Sequence, residues 1–308
     1  MKYLFRFGFI LSFLSLLQGS ISAQQRIKER IFEHPDSLNK KRLIATSSIA
    51  STTYVASLSY LGFIWYKDHA RVPFHFYDDS KGYLQMDKWG HAYSAYYESL
   101  AFTRALQWSG LPKKKAAIIG GFSGLLFQTP IEIFDGLYEG WGFSWTDMVA
   151  NAGGSALFGI QEALLSDQYV RMKFSYSPSG YPIYHASLGE SEIERFFLDY
   201  NAHTYWLSAN IRSITKLKTP TWLNLSFGYS ANGMIFEFDN PSIYKGKPFP
   251  NLPRYRQYIF SLDVDLSKIK TKSRFLKLVF GAANTIKFPL PAIEFNELGE
   301  VKWHFVYF

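Results

Sequence analysis

Leu43 to Tyr66 is a run of 24 residues without a single charged side chain, and few folds can accommodate such a run. A helix of ~20 apolar residues crosses a hydrocarbon core. Lys40-Lys41-Arg42 and Lys67-Asp68 bracket the run, and Tyr60, Trp65 and Tyr66 gather at its far end, as they do at membrane interfaces. The run also holds eight Ser or Thr residues. Hydroxyls on a helix can bond back to its own carbonyls, so a membrane tolerates them. A buried helix in a soluble bundle fits the same description; the membrane-associated helix is the preferred reading.

The residues before it read as an address. Lys2 and Arg6 form a positive start, Phe7 to Leu17 is an uncharged run of eleven, and Gln18-Gly-Ser-Ile-Ser-Ala23 offers small residues for cleavage. Met1–Ala23 is therefore expected to be a signal peptide, with an uncleaved anchor as the alternative; both export the chain. There is no cysteine, which excludes disulfides, thiolate metal sites, cysteine nucleophiles and lipid attachment through an N-terminal cysteine.

Charge is distributed unevenly. Residues 1–82 carry 11 basic and 6 acidic side chains, residues 83–170 carry 5 and 8, and residues 171–308 carry 17 and 11. Basic flanks around an apolar middle fit anionic lipid headgroups, and no nucleic-acid reading motif accompanies them. The partners expected are membrane lipid or a lipid-linked molecule, and no nucleic acid.

Three more helices are expected: Leu84 to Trp108, stopped by Gly110-Leu-Pro112; Lys113 to about Phe134, with Pro130 disturbing its last turn; and one starting at the N-cap Ser144 and running to Leu165. Gly120 and Gly124, then Ala150 and Gly154, stand at close-packing spacing. Each helix also carries a polar stripe. Asp87 and His91 are four apart, with Lys88 beside them and Glu98 beyond; Glu132 and Asp135 are three apart; Asp147 and Asn151 are again four apart. Burying such groups singly costs several kcal/mol each, so they must meet one another, water or a ligand.

The order and spacing of Asp87-Lys88-Trp89-Gly90-His91, Glu132-Ile-Phe-Asp135-Gly136 and Gly142-Phe-Ser144-Trp-Thr-Asp147-Met-Val-Ala-Asn151-Ala-Gly-Gly154 resembles the YfiM-like family of envelope proteins and, more distantly, the VanZ-like membrane proteins. The resemblance covers residues 40–165. It implies an envelope location and a small helical membrane bundle concerned with lipid or glycopeptide biology; the family's lipoprotein members need a cysteine that this chain lacks.

Three readings of Asp87, Lys88, His91, Glu132, Asp135, Ser144, Asp147 and Asn151 stay open. The first is a hydrogen-bonded polar core, with Asp147 capping or bridging to Lys88 and His91 satisfied by a carboxylate. The second is a binding site for a lipid-linked or anionic amphiphile. The third is an envelope hydrolase or transferase, with His91 as acid or base oriented by Asp87 and the carboxylates holding a divalent metal. One His among hard oxygen ligands leaves no distinctive metal spacing, so no metal ligand is assigned and no cofactor is expected. Ser144 fits a cap better than a nucleophile.

From residue 171 the pattern turns to alternating β-branched and aromatic residues, and nine of the thirteen prolines lie from Pro178 onward. The fold class expected is α+β: a membrane-associated helical bundle over 24–170 and a β-rich region over 171–308. The clearest strands are His203 to Ser213, Thr221 to Tyr229, Tyr255 to Leu266 and Val301 to Phe308, four to seven in all. Trp222, Asn224, Ser226 and Gly228 face one way and Leu223, Leu225, Phe227 and Tyr229 the other, which marks a half-buried strand. A membrane barrel needs at least eight strands, so a small sheet packed on the bundle or at the membrane surface is expected, with a structural outer-membrane protein as a further alternative. His185, His203 and His304 share no metal spacing and read as surface or sheet histidines.

Overall fold

The computed structural model describes residues 35–308, so the expected signal peptide lies outside the described residues. The chain is mixed α+β, with helices in its N-terminal half and a sheet-rich C-terminal part. Helix α1 spans Lys40–Tyr60, capped by Asn39, whose side chain accepts from the Arg42 N–H at 3.1 Å, and a π turn carries it through Leu61–Trp65. Helix α2 spans Met86–Trp108 and α5 spans Trp145–Leu165. The expected helix from Lys113 is two, α3 at Lys113–Gly121 and α4 at Ser123–Asp135. The break falls after Gly120 and Gly121, poor helix formers, where Ser123 Oγ donates to the Gly120 carbonyl at 2.7 Å. Pro130 is carried inside α4.

Small residues let α2 lie against its neighbours backbone to backbone. A Cβ on Gly124 would sit 2.0 Å from the Ala95 carbonyl oxygen, and one on Gly154 would sit 1.9 Å from that of Ala92. Hydroxyls stitch the contact. Ser99 Oγ donates to the Gly121 carbonyl at 3.1 Å and accepts from the Gly124 N–H at 3.0 Å, while Ser155 Oγ accepts from the Leu125 N–H at 2.8 Å. The bundle interior is thus polar, with Ser99, Thr103, Gln107, Asn151 and Ser155 buried. Its outside carries Ile44, Phe63, Ile119, Leu126, Val149 and Leu164, all exposed.

The C-terminal part is a six-stranded antiparallel sheet in the order β1-β2-β3-β6-β7-β8. Its strands are β1 Val170–Tyr176, β2 His203–Asn210, β3 Leu223–Asn232, β6 Tyr255–Val264, β7 Leu290–Asn296 and β8 Val301–Tyr307; β4 Ile243–Tyr244 and β5 Lys247–Pro248 form a separate hairpin. Short helices α6 Glu192–Leu198, α7 Ile211–Thr215 and α8 Arg274–Ala283 fill the connections. The sheet curls. Tyr307 of β8 reaches Thr204 of β2 at 3.3 Å, and Phe174 of β1 bridges to Ile286 just before β7.

The curl encloses the polar side of the strands. Ser208, Asn224, Ser226 and Asp263 are buried, and Lys173 Nζ pairs with Asp263 at 2.7 Å where neither side chain touches solvent. The face holding Leu225, Phe260, Leu262 and Trp303 points outward. Toward the helices the sheet closes a core on α2, where Tyr205, Tyr229 and Ala231 pack around Met86.

Candidate functional site

The polar stripes of α2, α4 and α5 converge at one end of the bundle. Lys88 is the hub. Its Nζ lies 2.6 Å from Asp79, 3.0 Å from Asp87 and 2.8 Å from Asp147. Asp87 and His91, on one face of α2 as their spacing predicts, stand 3.8 Å apart, and Asp147 Oδ1 is also 3.8 Å from His91 Nε2. The other ring nitrogen, Nδ1, faces Asn151 Oδ1 at 3.3 Å and Glu132 Oε1 at 3.6 Å. Asp135 turns instead to the Tyr66 hydroxyl, which donates to it. Ser144 caps α5 by accepting from the Asp147 N–H at 3.1 Å, and its hydroxyl donates to Asp79 at 2.6 Å. Glu98 is not in the group; it accepts from Gln128 at 2.7 Å further along α2.

Four carboxylates, those of Asp79, Asp87, Glu132 and Asp147, thus surround one ammonium and one imidazole. Burial works against the Asp79 charge, but the bonds from Lys88 and Ser144 outweigh it and hold the carboxyl down at about 2. Glu132 is the opposite case: it is 1% exposed and neither carboxylate oxygen has a hydrogen-bond partner. The site is not sealed, since the side chains of Asp87 and His91 keep 25% and 16% of their surface exposed. Two surface clefts, around Thr221–Trp222 and around Pro182–Arg195, share no residue with it.

Sequence reasoning missed Asp79, Tyr66, Thr146 and Tyr200. Thr146 Oγ1 donates to Asp79 at 2.8 Å, and the Tyr200 hydroxyl donates to Asp87 at 2.8 Å from the turn before β2. Asp79 lies in a loop and Tyr200 in a single 3-10 turn, where no periodicity could mark them.

A strained entry aims α2 at this group. Tyr83, Leu84 and Gln85 all have left-handed backbones, with φ of 42°, 49° and 65°, each costing about 1–2 kcal/mol for a non-glycine residue. Groups from the sheet region hold the turn. The Glu237 carbonyl accepts from the Tyr83 N–H at 2.7 Å, the Tyr229 hydroxyl donates to the Leu84 carbonyl at 2.5 Å, and Arg256 donates to Gln85 Oε1 at 2.8 Å. The C-terminal part therefore positions Asp87, Lys88 and His91.

His185, His203 and His304 stay apart from the cluster. His203 bonds the Phe196 carbonyl at 2.9 Å, His304 pairs with Glu294 at 2.8 Å, and His185 lies near Ser187 and Tyr244.

No curated protein matches the chain, and no solved structure matches it. Residues 75–162 match the model of a family described as a predicted periplasmic lipoprotein (DUF2279). That segment contains every helical residue of the cluster together with Asp79 and Ser144. The match supports an exported, envelope-associated protein, and its description assigns no activity.

Proposed function

We propose that this chain is an integral protein of the cell envelope, held in lipid by the outer surface that its helices and sheet share, with the Lys88–His91 cluster as its working centre. One observation carries the reading: polarity is inverted. Large apolar side chains such as Phe63, Val149, Leu164, Phe305 and Trp145 are exposed, while serines, asparagines and ion pairs fill the interior. A water-soluble monomer rarely exposes apolar patches beyond a few hundred Å², whereas lipid favours apolar exteriors and internally satisfied polar groups. Among the described residues the helical stretch Lys113–Asp135, although it breaks at Phe122, is long and apolar enough by length and composition to cross a membrane. The resemblance to YfiM-like and VanZ-like proteins supports the same reading.

An anionic amphiphile finds weaker support at the cluster, because four carboxylates surround a single ammonium and an imidazole and would repel it. An envelope hydrolase or transferase is the second reading. It is favoured by the partial access to His91, an acid–base group already set between carboxylates.

The lipid contact is tested by reconstituting the protein into vesicles whose acyl chains carry bromine. Tryptophan fluorescence should be quenched, and Trp145→Phe and Trp303→Phe should each reduce the quenching. Trp206→Phe should not, because Trp206 is fully buried inside the curled sheet. Release by a high-pH wash together with unquenched fluorescence would overturn the reading and point to a protein partner as the cover of this surface.

A further inference from the structure

We propose that Asp87, His91 and Asp147 form a site for one divalent transition-metal cation, with Glu132 and Asn151 orienting the imidazole from behind. The three donor atoms lie within 4.8 Å of one another. His91 Nε2 stands 3.8 Å from an oxygen of each aspartate. Around a cation bonded at ~2.1 Å, neighbouring donors sit roughly 3–4 Å apart, so side-chain rotation alone brings them in.

The ring is already turned for this role. With its proton on Nδ1, His91 donates to Asn151 Oδ1 at 3.3 Å, faces Glu132 Oε1 at 3.6 Å and offers the Nε2 lone pair to the aspartates. A carboxylate behind a histidine is how proteins fix the tautomer of a metal ligand. The second, independent sign is Glu132 itself, nearly fully buried with no hydrogen bond to either oxygen and the His91 ring beside it at 3.6 Å. A carboxylate costs several kcal/mol to bury without compensation, and positive charge on the far side of His91 would supply it.

Lys88 does not pre-empt the site. It holds Asp79 at 2.6 Å and Asp87 through Oδ2, leaving Oδ1, which also accepts from the Tyr200 hydroxyl at 2.8 Å, toward His91, and shares only Asp147 Oδ1 with the proposed cation. Against four carboxylates Lys88 offsets one charge, and a divalent cation offsets two more. An imidazole among carboxylates suits zinc or manganese rather than the all-oxygen shells of calcium and magnesium. Exposure of Asp87 and His91 leaves room for water to complete the coordination.

The proposal is independent of the lipid contact, and vesicle quenching and cation titration can fail separately. The purified full-length chain, stripped with chelator, would be titrated calorimetrically with Zn²⁺, Mn²⁺ and Mg²⁺, and with Co²⁺ while its visible absorption is followed. One equivalent of Zn²⁺ or Mn²⁺ per chain is expected, with Mg²⁺ much weaker. His91→Ala should abolish the Co²⁺ spectrum, and Glu132→Gln should weaken binding about 10–100-fold while keeping the stoichiometry. His185→Ala should bind as the parent does. Circular dichroism and elution volume check each variant's fold, and Asp87→Asn replaces any variant that fails to fold. Absence of saturable binding, equal binding by folded His91→Ala, or a preference for Mg²⁺ would each overturn the proposal.

Discussion

Replacing Lys88 with methionine tests the electrostatic centre of the protein most directly. The substitution keeps the length and apolar stem of the side chain but removes the ammonium that meets three carboxylates at 2.6, 3.0 and 2.8 Å. At an effective dielectric constant of ~20, each contact at ~2.8 Å is worth about 6 kcal/mol before desolvation. The lysine side chain is 12% exposed, so much of that gain is returned as the cost of taking the ammonium out of water. What survives is the penalty for leaving its partners buried and unpaired, about 3–5 kcal/mol when one member of a buried ion pair is removed. At roughly 2 °C per kcal/mol for a chain of this size, Lys88→Met should lower Tm by about 6–10 °C. The assay is a thermal melt of detergent-purified protein in chelator, so that no cation substitutes for the lysine. Adding Asp79→Asn removes one orphaned carboxylate, and the pair should couple by about 1–2 kcal/mol toward recovery. A Tm loss below about 2 °C, or strictly additive losses in the double variant, would refute the argument that Lys88 holds the cluster together.

Two further perturbations follow from the packing. Gly154→Ala places a Cβ 1.9 Å from the Ala92 carbonyl oxygen and must push α5 off α2, costing about 1–3 kcal/mol; Gly153→Ala, with nothing within 4 Å, should leave stability unchanged or raise it by about 0.5–1 kcal/mol in the same melts. Tyr229→Phe removes the hydroxyl that donates to the Leu84 carbonyl, so the left-handed entry to α2 loosens at a cost of about 0.5–1.5 kcal/mol. Amide hydrogen exchange should then rise at Tyr83 to Asp87 while the far end of α2 keeps its protection.

Much of the site was legible in the sequence because helix geometry is local. Asp87 with His91 and Asp147 with Asn151 had to share a face at a spacing of four, and Ser144 ahead of Asp147 had to cap. The strands beginning at His203 and Tyr255 were visible from their alternation. Those at Val170 and Leu290 were not. The first carries Arg171 and Lys173, and the second holds Pro291 near its start, and both features read as loop. The split of the expected Lys113 helix at Phe122 came from paired glycines and a serine that bonds back, a weaker local sign than the proline eight residues on.

The sequence by itself determined where most helices and four of the strands lie and which of their residues share a face, since a period of 3.6 or 2 is fixed by backbone geometry. It could not say which face is inside. The alternation in Leu223–Asn232 is the same whether Ser226 or Leu225 is buried, and only the curl of the sheet, closing Tyr307 on Trp206, puts the polar side in and Leu225 out. Tertiary structure likewise decided which polar groups meet. Asp79 reaches Ser144 across 65 residues of chain, and Tyr200 reaches Asp87 across 113. Contacts at such separations follow from how whole elements pack, so no local pattern of residues can announce them.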